Sequence, residues 1–140
     1  MEEYYLNDGV SRTIEEGVLH GYKYMIRTVR GTHPCAYVVI PDGHIIKEYV
    51  DKWLDEINEG DWSYSEYELI EMHTNIHVHG GLTYGNRNVI GWDYAHCDDY
   101  APIYDEGGKK WTRDEIMRDI EQVIYELADF QHYAEPITNN

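Results

Sequence analysis

The sequence predicts an α+β domain: an antiparallel sheet of about four strands with two helices packed on one face, in ββαββα order. Three observations predict it. Side chains alternate between apolar and polar over several short segments. Apolar residues recur every three or four positions over 45–58 and again after Thr112. The strand-like segments come in closely spaced pairs, which suits hairpins better than crossovers. At 140 residues the chain sits within the range of one domain, so 1–140 is read as a single unit.

Residues 1–17 are polar and carry no clear periodicity. From Val18 to Val29, Tyr22, Tyr24, Ile26 and Thr28 alternate with Lys23, Met25, Arg27 and Val29, the period-two signature of a strand. Gly31-Thr32-His33-Pro34 reads as a turn. Cys35–Ile40 is a short apolar run, read as a buried strand that Pro41-Asp42-Gly43 ends. Over 45–58, Ile46, Val50, Trp53, Leu54 and Ile57 share one helical face, Glu48, Asp51, Asp55 and Glu56 lie opposite, and Gly60 is the expected stop. Residues 61–68 read as an exposed aromatic loop. Alternation returns over 69–79, where a strand would gather His73, His77 and His79 on one side; Gly80-Gly81 would break it. A further strand is expected over 88–94 and a loop over 97–111. The last helix opens with Thr112 and Glu115 in the spacing of a capping box and frays near His132.

The chain carries 27 acids against 11 bases, a net charge of −16, and the excess is split evenly between its two halves. Such a surface repels nucleic acid and attracts basic partners. There is no long uncharged apolar window, so no membrane span is expected. The first residues lack a basic region and an apolar core, so no secretory signal is read and a cytoplasmic setting is expected. Cys35 and Cys97, without such a signal, read as reduced thiols. Fourteen tyrosines and four tryptophans against one phenylalanine suit half-buried rims and interfaces.

The chemistry-bearing residues are histidines and carboxylates. His44 stands at a strand-to-helix turn, His77 and His79 before Gly80-Gly81, and Asp93, His96, Asp98 and Asp99 at a strand end. Imidazole and carboxylate donors at strand ends form the ligand set of a borderline divalent metal, zinc first. The bland reading of the same residues is turn capping in a sheet rim. No HExxH, paired CxxC, P-loop or GxSxG is present. Cys97 beside His96 does not make a nucleophile and base, because sequence neighbours rarely aim at each other.

The blocks CAYVVIPDGH (35–44), HGGLTY (79–84) and GWDYAHCDD (91–99) resemble a family of small phage and prophage proteins with the pattern CGYV…PxGH, HGGLT[YF], GFDxAHxxD. The likeness spans residues 31–100. Carried over by position, the family's polar residues fall on His44, His79, Asp93, His96 and Asp99, while Ala36 and Trp92 replace its Gly and Phe. His77 lies outside the pattern and so ranks second as a ligand to His44, His79, Asp93 and His96; Asp99 is also placed in the second rank. By size, acidity and the His/Asp set, the chain is also similar to metal-binding anti-CRISPR proteins that block type II RNA-guided nucleases. That resemblance implies a structural Zn2+ closed by three histidines and Asp93, a phage setting in the cytoplasm of an infected bacterium, and a basic effector nuclease as partner. The acidic outer faces expected to meet it carry Glu48, Asp51 and Asp55 on the first helix and Asp114, Asp119 and Glu121 on the last. A second copy of the chain is a further candidate partner, and no direct nucleic-acid binding is expected. The alternative is a metal-dependent hydrolase acting on a phosphodiester or nucleotide, with Asp93 or Asp99 free as general base. A sponge for a defence nucleotide is a third possibility, one that would need more Arg and Lys than the chain offers.

Overall fold

A computed structural model describes residues 3–57 and 64–137. A short 3-10 turn (Glu3–Tyr5) precedes strands β1 (Arg12–Leu19), β2 (Tyr22–Val29) and β3 (His33–Val39). Helices α1 (Ile46–Glu56) and α2 (Glu66–Met72), strands β4 (Tyr84–Gly85) and β5 (Val89–Asp93), and helix α3 (Arg113–Tyr133) follow. The expected α+β class holds. Among the described residues the sheet has five strands rather than four, ordered β1-β2-β3-β5-β4 and antiparallel throughout, with three helices rather than two.

The segment from Val18 to Val29 is not one strand. It turns at His20 and Gly21, both with left-handed backbone (φ 50° and 84°), and the preceding polar residues pair with β2 as β1. Two consecutive left-handed residues make the tight turn that matches strand twist. Arg30 and Gly31, also left-handed (φ 52° and 71°), lie in the three-residue turn 30–32 between β2 and β3. Glycine meets the need without strain at the second position of each turn.

The strand expected over 69–79 is also corrected. Ser65 and Glu68 form a capping box, and Glu66–Met72 is helical, with Leu69 and Ile70 in the core. Residues 75–78 belong to no helix or strand, and a turn follows at His79-Gly80. The alternation there spans a short helix and an irregular segment. Helix α1 buries Ile46, Val50 and Trp53 as expected, but Leu54, expected on the same face, is exposed. Its expected stop at Gly60, and residues 61–63 of the expected loop, lie outside the described residues. Helix α3 starts as expected, with the Thr112 side chain accepting from the Glu115 amide.

One face of the sheet supplies Ile26, Ala36, Val38, Ile90 and Trp92 to the core; α3 adds Ile116, Ile120, Val123, Ile124 and Leu127, and α1 and α2 complete it. Each fully buried aliphatic side chain contributes about 1.5–3 kcal/mol by leaving water. This packing fixes the end of β5 against the loop before α3, where the polar cluster sits. No helix among the described residues is long and apolar enough to cross a membrane.

Candidate functional site

Strand β5 ends at Asp93, and the chain turns at once. The Tyr94 amide donates to the Pro34 carbonyl at 3.1 Å, tying this end to the start of β3. Asp93 Oδ1 accepts the Ala95 amide at 3.1 Å, a local carboxylate turn. Asp99 then closes the loop: its Oδ2 accepts the His96 amide at 2.9 Å.

Asp99 is the centre of the cluster. It is 4 % exposed and is the only buried acid among the described residues. Its Oδ2 is 2.6 Å from His79 Nε2, and its Oδ1 accepts the Trp111 indole N–H at 2.8 Å. Burial pushes this carboxyl up, but the Trp111, His96 and His79 donors outweigh it and hold its pKa below the usual value. Against a carboxylate, His79 Nε2 carries its proton and donates.

The His79 ring stacks on Tyr94 with ring centroids 5.7 Å apart and 7° between planes, and Trp111 lies tilted at 4.5 Å. The His96 ring meets it edge-on at 5.3 Å. His96 Nε2 lies 3.1 Å from Asp93 Oδ1, within ion-pair distance, yet this buried nitrogen makes no hydrogen bond. Thr83 Oγ1 donates to the other Asp93 oxygen at 3.1 Å. Gly80 closes over the cluster: with φ +72°, a Cβ there would lie 2.2 Å from His96 Nε2. The glycine of the HGGLTY block is therefore required by both conformation and space.

The structure brings His79, Asp93, His96 and Asp99 together and leaves His44 elsewhere. His44 is buried, its Nε2 2.9 Å from the Leu127 carbonyl, while its Nδ1 accepts the Ile46 amide at 3.1 Å. Both nitrogens are used, so the imidazole is neutral and fixed in one tautomer. It satisfies a free amide at the start of α1 and ties that helix to α3. His44 therefore does not join the tetrahedral set expected of it. His77 is exposed, and its backbone amide donates to Gln122. Among the described residues no group of three or more His, Cys, Asp or Glu side chains is placed to hold a metal ion; of the four expected ligands, His44 has both ring nitrogens engaged with backbone groups.

His33, which the sequence predicts in a turn, lies near enough to the cluster for the charges of Asp93 and Asp99 to act on it. Burial lowers its pKa, while the charges of Asp93 and Asp99 act in the opposite sense. The β3–β5 pairing sets Cys35 opposite Asp93, which brings the start of β3 to the end of β5. Only that long-range register reveals His33, and no local spacing encodes it.

The expected acidic faces differ in availability. Glu48 and Asp55 are exposed, and the Asp114 side chain is 84 % exposed. Asp51 pairs with Arg87 at 2.6 Å. Asp119 accepts the Tyr94 hydroxyl at 2.7 Å, and Glu121 lies 3.4 Å from His20.

Chemically, the cluster offers one imidazole oriented by a buried carboxylate and a second with a buried nitrogen that makes no hydrogen bond. No protein-family model, curated protein or solved structure matches the chain.

Proposed function

We propose that this chain is an acidic inhibitory binding protein of the phage anti-defence kind. It would seat on the basic nucleic-acid channel of an RNA-guided effector nuclease and exclude guide or target. The observation that carries the reading is where the charge lies. With 27 acids and 11 bases, the acids outnumber the bases by sixteen, and only Asp99 among the described acids is buried. Arg12, Lys47, Lys52, Arg87, Lys109 and Arg113 are already tied to carboxylates of this chain. The remaining negative field faces solvent, where it competes with phosphates for a positively lined channel. The resemblance to phage anti-defence proteins supplies the class of partner.

The test is displacement of labelled guide RNA or target DNA from a purified type II effector at rising salt. Expected is competition that weakens steeply with salt, because exposed charges are screened beyond about 8 Å at physiological ionic strength. Combined Glu48→Lys, Asp55→Lys and Asp114→Lys reversal should weaken it about tenfold or more. Competition indifferent to salt and to the reversals sinks the electrostatic reading.

A metal-dependent phosphodiester hydrolase is the second reading. It is favoured by the gathering of His79, Asp93, His96 and Asp99 and by the buried His96 nitrogen that makes no hydrogen bond. Here Zn2+ or another divalent ion would draw on His96 and Asp93, and the Asp99–His79 pair would hold a proton-accepting imidazole in place. Turnover of a chromogenic phosphodiester, lost in His96→Ala, is its test.

A further inference from the structure

The helices cover one face of the sheet. The opposite face carries none among the described residues. Pairing registers place Glu16 and Val18 of β1, Lys23, Met25 and Arg27 of β2, Tyr37 and Val39 of β3, and Val89 and Asp93 of β5 on it. Tyr84 of β4 joins them, its ring edge-on to Tyr37 at 5.7 Å. Tyr37 spreads over Gly91, where any Cβ would meet its ring at 2.6 Å. Val18 is 65 % and Tyr84 54 % exposed. A recess of about 420 Å³ opens between Val18, Lys23, Met25 and Val39.

The charge on this face decides its occupant. Glu16 and Asp93 balance Lys23 and Arg27, so the face is neutral on a molecule of net charge −16. A basic partner is drawn to the acidic helix faces instead. A second copy is repelled across those faces, but here it meets apolar side chains and equal numbers of both signs. A two-fold interface brings the same patch to itself, so equal numbers of acids and bases suit it.

From these observations we infer that the open face of the sheet is a self-association surface, pairing two copies sheet to sheet. Strand spacing and length give a patch of roughly 20 Å by 20 Å. Two such faces bury on the order of 1,000 Å², the low end of specific interfaces, so the dimer is weak and concentration-dependent.

Sedimentation velocity of the full chain tests this over roughly 5–500 µM, the range a weak interface of this size calls for. Expected is a rise in average mass from 16.5 kDa toward twice that value. Val18→Glu with Tyr84→Glu should hold the protein monomeric, with circular dichroism checking the fold. Lys23→Glu, a reversal of one exposed charge, should weaken association about tenfold in a folded protein. Leu54→Glu, on α1, should leave it unchanged. Salt separates this surface from the acidic faces: copies should associate more tightly as salt screens their repulsion, whereas a basic partner should bind less tightly. A constant 16.5 kDa, dimers that survive the sheet-face substitutions, or association that loosens with salt would overturn the inference.

Discussion

The carboxylate of Asp99 accepts the indole N–H of Trp111 at 2.8 Å across twelve residues of chain, which locks the loop before α3 onto the end of β5. The same carboxylate orients His79, so the fold of the loop and the chemistry of the site depend on one side chain.

Asp99→Asn should therefore cost about 2 kcal/mol, because a carboxamide offers one acceptor where three donors converge. Urea denaturation measures the loss, and a change within experimental error would show that the network adds little. The acid response follows in sign. Asp99 has a folded pKa below its usual 3.8, so its contribution is complete above that value and is lost as pH falls through the lower folded value. The substituted protein should lose less stability than the parent over that acid window.

His44 has the opposite chemistry and a different window. Burial lowers its pKa from 6.5, so the unfolded chain takes up a proton that the folded protein resists. Its contribution is complete above 6.5 and erodes as pH falls below that value toward the folded one. Stability measured from pH 8 down to 5 should decline in the parent and decline less in His44→Gln. A parallel decline in both would place the sensitivity elsewhere, His33 being the next candidate.

Gly80→Ala tests the close approach to His96. A side chain there meets the imidazole and also occupies a left-handed conformation, so the expected cost is about 2–3 kcal/mol. Gly107→Ala is the control, since a Cβ at that position has nothing within 4 Å. Equal thermal shifts for the two would show that the cluster yields easily.

Metal content divides the two functional readings. The binding protein is expected to carry substoichiometric zinc after purification and to keep its melting temperature within about 1 °C in chelator, because a site that adds folding energy is linked to stability. One tightly held divalent ion per chain that keeps a bound water, and whose removal abolishes phosphodiester turnover, would favour the hydrolase.

The elements with repeated local signals were legible in the sequence. Thr112 and Glu115 announced α3, and the three-four spacing of Ile46, Val50 and Trp53 announced α1. Helix α2 was missed because seven residues span only two turns, too few to separate a helical period from alternation; its Ser65–Glu68 box was the available clue. Strand β1 was missed because Glu15, Glu16 and Gly17 hide its pattern, and a bulge between Thr13 and Glu15 shifts its phase. The site was legible where its members lie close in sequence, as Asp93, His96 and Asp99 do. His33, which lies near the cluster, and His44, which does not, were decided by strand register and by the seat of α1 on α3. Both are long-range facts that spacing does not carry.

The two tight turns at His20-Gly21 and Arg30-Gly31 also bear on how quickly the chain acquires its shape. Strands β1, β2 and β3 each pair with an immediate sequence neighbour, so little entropy is lost in closing the intervening chain. Strand β5 must cross some fifty residues to reach β3, a costlier closure that is rewarded only when the core assembles. The expected order of events is an early three-stranded meander with later arrival of β5, so the polar cluster at its end should form after the meander.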